Sequence, residues 1–74
     1  MSKVLEIVKK ITGNYEITNE TLLLDDGILD SLLVMELIDK LEKEFDIKIP
    51  PDEFSHYNFN QVTRIEELVD KLKG

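Results

Sequence analysis

The chain has 74 residues, sixteen acidic against nine basic, a formal net charge of −7, and no cysteine or tryptophan. A single small domain of this length buries only about 60% of its unfolded-chain surface, so a large enclosed catalytic cleft is not expected. The missing cysteines exclude a disulfide framework and any thiolate metal site, and the acidic balance argues against contact with a nucleic-acid backbone and for protein partners that present Lys and Arg.

In chain order, Val4, Leu5, Val8 and Ile11 recur at helical spacing and Gly13-Asn14 supplies a stop, which predicts a first helix over Lys3–Thr12. The same stretch, "MSKVLEIVKKITG", is too charged to be the apolar core of a leader, and no apolar run approaches the roughly 18 residues of a membrane span. The sequence therefore reads as a cytoplasmic single domain over residues 1–74. Between Gly13 and Asp30 the chain is loop-like, yet Ile17, Leu22, Leu23, Leu24, Ile28 and Leu29 are too many apolar groups for a solvated linker, so the loop must pack. A second helix begins near Ser31, with Val34, Leu37, Ile38, Leu41 and Phe45 on one stripe, and ends before Asp46 and the "IPP" stop. A short helical turn is expected over Pro51–Phe54, because proline suits the first helical position and Asp52 and Glu53 suit the positive end of the dipole. A last helix is expected over Arg64–Lys73, opened by a capping box between Thr63 and Glu66 and carrying Ile65, Leu68, Val69 and Leu72 on one face. The only alternating segment is "DIKI", so the fold expected is an all-α, four-helix bundle of three longer helices and one short one, with a long loop between the first two.

Ser31 raises the chemical question. On a helical wheel it lies beside the core stripe, with Leu32, Met35, Glu36, Asp39 and Glu42 on its outer side, an apolar pair among carboxylates. A serine at a helix start is ordinarily a cap, but Asp30 can cap equally well and frees the hydroxyl. A serine hydrolase is not supported: the single histidine, His56, lies in "FSHYNF" and reads as a surface or packing residue, and the G-x-S-x-G elbow is missing. Gly27 stands alone after Asp25-Asp26, which is no phosphate loop, and these aspartates with Asp30 do not meet the calcium-loop spacing.

The stretch "GILDSLLVMELIDKLEKEFDIKIP" resembles acyl carrier proteins: an Asp-Ser-Leu triplet opening the second helix, Glu36 five positions after the serine, and an E-x-x-F-D-x-x-I-P ending at Pro50. The resemblance extends to "IEELVDKL" near the end of the chain. It implies a non-catalytic carrier in which Ser31, flanked by Asp30 and Leu32, holds a covalent 4'-phosphopantetheine arm taken from coenzyme A, with an acyl or aminoacyl cargo carried as a thioester. The partners implied are a phosphopantetheinyl transferase, a loading ligase, and condensing or transferase enzymes whose basic surfaces dock on Leu32, Met35, Glu36, Asp39 and Glu42. The carrier would be a monomer serving fatty-acid or specialised biosynthesis. Fatty-acid carriers typically place an acid after Asp-Ser-Leu, where this chain has Leu33, and Lys40 and Lys43 dilute the acidic face. The segment after Pro50, with Phe54, Tyr57 and Phe59, is similar to discrete D-alanyl and other aminoacyl carriers, although ordinary core packing accounts for these aromatics without cargo recognition. The alternatives are thus a dedicated D-alanyl or aminoacyl carrier, or an unmodified helical adaptor.

Overall fold

The computed structural model describes residues 2–74, in which four α-helices and one 3-10 turn follow one another: α1 Lys3–Thr12, α2 Ser31–Phe45, a 3-10 turn Pro51–Glu53, α3 His56–Phe59 and α4 Val62–Lys73. No strand occurs among the described residues, and the Ile47–Ile49 alternation instead lays Ile49 into the core with Ile47 partly buried. The architecture is the expected all-helical bundle.

α1 begins where Ser2 accepts the Leu5 N–H at 3.0 Å and ends at Gly13, whose N–H makes the last bond to the Lys9 carbonyl at 2.9 Å and whose left-handed φ of 68° then turns the chain out of the helix. Glu6 in its first turn and Lys9 and Lys10 in its last complement the helix dipole. Its inner face buries Val4 and Val8 in one core with Leu37, Ile38 and Leu41 of α2 and Ile65, Leu68 and Val69 of α4. The long loop supplies Ile17, Leu23 and Leu29 to the same core, which is why a segment without regular structure keeps so many apolar residues. Val34 and Phe45, expected on the buried stripe of α2, are only partly buried: Val34 borders an open groove beside Ser31, and Phe45 borders a surface cleft between the start of α1 and α4.

The second half of the chain departs from expectation in three places. α4 starts at Val62 rather than Arg64, and the Thr63–Glu66 capping box does not form. Thr63 instead gives its N–H and its hydroxyl to the Asn19 carbonyl, at 3.4 and 3.3 Å, while Glu66 accepts the Ser2 hydroxyl from the start of α1. Tertiary partners have outcompeted the local box, and they tie α4 to both the loop and the N-terminus. The turn after Pro50 is 3-10 and stops at Glu53, with Phe54 as its cap. The short α-helix lies one step later, at His56–Phe59, where Ser55 accepts the Asn58 N–H at 3.1 Å. Four residues are too few to show a period, so this helix leaves little trace in the sequence. Of the three aromatics there, only Phe59 is in the core. Phe54 packs edge-on to it at 6.5 Å while remaining 41% exposed, and Tyr57 lies outside under the Arg64 guanidinium at 4.0 Å.

Candidate functional site

Asp30 has an extended backbone and accepts the Leu33 N–H on Oδ1 at 2.9 Å, so it is the cap of α2. Ser31 is therefore the first residue inside the helix, exposed and relieved of capping. The first turn of α2 carries no acidic residue. Leu33, the position at which the chain departs from the fatty-acid pattern, turns inward and packs against the core. The start of α2 thus offers a free hydroxyl at the positive end of a helix dipole, with the capping Asp30 as the one carboxylate directly beside it.

Beside the hydroxyl runs an open groove of about 510 Å³, lined by Leu24 and Leu29 of the loop and by Asp30, Ser31, Val34 and Met35. Leu32 is 77% exposed and Met35 59%, and Glu36 and Asp39 are exposed on the same helix. The two carboxylates have further neighbours: Asp39 pairs with Lys43 at 3.2 Å, and Glu36 borders a cleft between α1 and α2 together with Lys40 and Lys3. Glu42 differs from the surface position expected of it. It is half-buried and accepts the Ile49 N–H on Oε2 at 2.8 Å, and its carbonyl accepts the Ile47 N–H at 3.2 Å. Its carboxylate fastens the segment after α2 to the helix, which removes it from the exposed rim.

One polar cluster was not legible in the sequence. His56 Nε2 meets Asp25 Oδ1 at 2.7 Å, and Asn60 donates through Nδ2 to Asp25 Oδ2 at 3.1 Å. Asn60 Oδ1 also accepts the N–H groups of Leu24 and Asp25, at 2.9 and 3.1 Å, and its carbonyl accepts that of Leu23 at 2.7 Å. The His56 bond, helped by the Asn60 amide, holds the Asp25 carboxyl below the usual carboxylate range. His56 is a surface residue here, as its context suggested, but one that ties two elements together. More than thirty residues separate Asp25 from Asn60, and no spacing rule predicts that they meet.

A small helical bundle with a free serine at the mouth of its second helix and an open groove alongside has the form of a carrier domain. The family model described as "Phosphopantetheine attachment site" matches residues 2–72, and the chain belongs to that family, whose prosthetic group is a covalently attached 4'-phosphopantetheine. D-alanyl carrier proteins of Streptococcus pyogenes serotypes M1, M5 (strain Manfredo) and M49 (strain NZ131) are each 47% identical to it over 51 residues. That stretch is 69% of this chain and 65% of each relative, so the match spans a little under two thirds of their length.

Proposed function

We propose that the protein is a discrete carrier that holds its cargo on a 4'-phosphopantetheine arm attached to Ser31, within a single domain over residues 1–74. The observation that carries this reading is the division of labour at the start of α2: Asp30 caps the helix and leaves the Ser31 hydroxyl exposed. The surroundings fit the group. A phosphodiester on Ser31 would lie at the positive end of α2, next to the capping Asp30, and the adjoining groove has room for a flexible chain along Leu24, Leu29 and Met35. When bound, the arm supplies a terminal thiol on which cargo rides as a thioester. The protein's own residues do no bond-making. They present the arm, and tethering raises the effective concentration of the cargo at each partner's active site.

The cargo favoured is an aminoacyl group of the D-alanyl kind. This follows from the curated relatives and from Leu33 standing where fatty-acid carriers typically place an acid. A general acyl cargo for fatty-acid or specialised biosynthesis is the second reading. The partners would be a phosphopantetheinyl transferase, an adenylating ligase that loads the thiol, and an acceptor transferase or condensing enzyme, met in the cytoplasm. No helix among the described residues is long and apolar enough to cross a membrane.

The test is intact-mass analysis after incubation with coenzyme A and a promiscuous phosphopantetheinyl transferase. The wild-type chain should gain one phosphopantetheine, and Ser31→Ala should gain none while keeping its helical circular dichroism, because the Asp30 cap is untouched. A Ser31→Ala chain that is still modified would move the attachment site elsewhere, and a wild-type chain that is never modified would favour the unmodified adaptor. Loading the modified chain with D-alanine or with a fatty acid by the cognate ligases then separates the two cargo readings.

A further inference from the structure

The Asp25–His56–Asn60 cluster lies outside the attachment site but is wired to it through the backbone. The Asn60 carbonyl accepts the Leu23 N–H, the Leu23 carbonyl accepts the Leu29 N–H at 2.9 Å, and Leu29 is followed directly by the cap Asp30 and then by Ser31. Within that stretch Asp26 N–H bonds to the Leu22 carbonyl at 2.9 Å and Gly27 N–H to that of Leu24 at 3.1 Å, so residues 22–29 form one closed turn rather than a slack loop. The outer end of the turn is gripped by Asn60, which accepts three consecutive backbone N–H groups through its carbonyl and its side-chain oxygen. Its inner end sets the Leu24 and Leu29 wall of the groove beside Ser31.

From this path we infer that Asn60 is a positioning residue for the attachment serine: from the end of α3 it fixes the turn that places Asp30 and Ser31, and thereby how the hydroxyl is offered to the enzyme that installs the arm. This rests on the reading of Ser31 as the attachment point. Asp25 is the second half of the grip, held between Asn60 Nδ2 and His56 Nε2, which keeps the Asn60 amide oriented with its oxygen toward the backbone. The α2 face that a transferase docks against does not include Asn60, so encounter is left intact and only the aim of the hydroxyl suffers when the grip is lost. Small displacements of a reacting group cost rate more than affinity.

The experiment compares wild type, Asn60→Ala, and the paired exchange Asn60→Asp with Asp25→Asn. The exchange reverses donor and acceptor in the side-chain bond, keeps an oxygen for the Leu24 and Asp25 amides, and leaves an amide oxygen for His56. In the apo protein, well below its melting temperature, Asn60→Ala should speed amide hydrogen exchange at positions 24 and 25 by roughly tenfold, the weight of about one lost hydrogen bond. In arm loading from coenzyme A by a phosphopantetheinyl transferase, kcat should fall about tenfold with KM within a factor of about two, and the paired exchange should recover most of that loss. Faster exchange at positions 24 and 25 with loading kinetics equal to wild type would overturn the inference, as would a paired exchange no better than Asn60→Ala in a chain folded by circular dichroism. A Ser31→Ala chain loaded in parallel distinguishes the two levels: if it accepts the arm, the attachment site itself is wrong and the inference falls with it.

Discussion

Asp46 ends α2 with φ 54° and ψ 52°, and among the described residues it is the one non-glycine residue at positive φ. The left-handed turn at Asp46 brings the N–H of the next residue, Ile47, back to the Glu42 carbonyl at 3.2 Å and so closes the end of the helix. An L-side chain resists that conformation by roughly 1–2 kcal/mol, less for Asp and Asn, whose short polar groups can bond locally. Glycine has no such cost, although its looser unfolded chain takes back part of the gain. Asp46→Gly should therefore stabilise the fold, and Asp46→Asn is the control because it removes the same charge while keeping a side chain. In urea, Asp46→Gly should be more stable than Asp46→Asn by about 0.5 kcal/mol, read as a higher midpoint with an unchanged slope. Equal midpoints would mean that the benefit is electrostatic. At this scale the sequence was informative wherever a residue acts on its near neighbours. Asp30 capping and Ser31 free follow from two adjacent letters, and Gly13 closing α1 follows from one. It was silent wherever a residue's partner is distant, as for Thr63 with Asn19, Glu66 with Ser2, and Asp25 with Asn60.

The elements divide in the same way. α1, α2 and α4 are long enough to show a 3.6-residue period, and their buried faces were legible; α3 is a single turn held by Ser55 and by its Phe59 anchor, and nothing periodic announces it. Glu42 shows the limit for a surface reading: the wheel placed it outward, but an unpaired N–H at Ile49 recruits its carboxylate. The exposed outer face of α2 beside Ser31 is thereby reduced to Leu32 and Met35 with Glu36 and Asp39 around them. If Ser31 is the attachment point, a partner that reaches it would meet this face, and the matching surface would be a basic rim with a small apolar recess. Rim charges chiefly change association rate, while a buried apolar anchor changes dissociation. Glu36→Lys with Asp39→Lys should slow arm loading several-fold at low ionic strength and flatten its salt dependence, whereas Met35→Ala should raise KM at low and high salt alike. Glu42→Gln, which keeps an oxygen for Ile49, should load like wild type. Transferase kinetics across a salt series check all three, and an unchanged salt slope for the double reversal would move the docking surface away from this face.

On the scale of the whole molecule, sixteen carboxylates share a domain of 74 residues with nine basic groups. The ion pairs that relieve them, Lys3–Glu44 at 3.7 Å, Lys43–Asp39 at 3.2 Å and Lys71–Glu53 at 2.6 Å, are partly or largely exposed, and such pairs contribute little each. A formal excess of seven negative charges is left to repel itself, so added salt should raise the melting temperature by screening. Acid acts in two opposing ways. As pH falls from 7, protonation of carboxylates brings the net charge toward zero and relieves repulsion, which stabilises the fold. Two carboxyls work against this at lower pH: Asp25, held below the usual range by His56 and Asn60, and Glu53, held there by the Lys71 ammonium. A carboxyl whose folded pKa is depressed contributes stability that is present above its unfolded pKa and lost as pH falls through the folded value. Both groups therefore stabilise throughout the neutral range, and their contribution disappears only below the ordinary carboxylate range. The melting temperature should accordingly rise from pH 7 into mild acid, pass a maximum, and drop steeply below it. Asp25→Asn keeps an oxygen for His56, gives up the bond from Asn60 Nδ2 and cannot titrate, so its acid limb should be shallower than that of wild type while its rise from pH 7 is preserved. Thermal melts of both chains across this pH range make the comparison at low and high salt. High salt should flatten the rise, which comes from long-range repulsion, and leave the difference between the two acid limbs, which comes from direct hydrogen bonds. Parallel acid limbs for the two chains would show that the bond from His56 to Asp25 does not form in solution, and with it would go the outer half of the grip on the turn before Ser31.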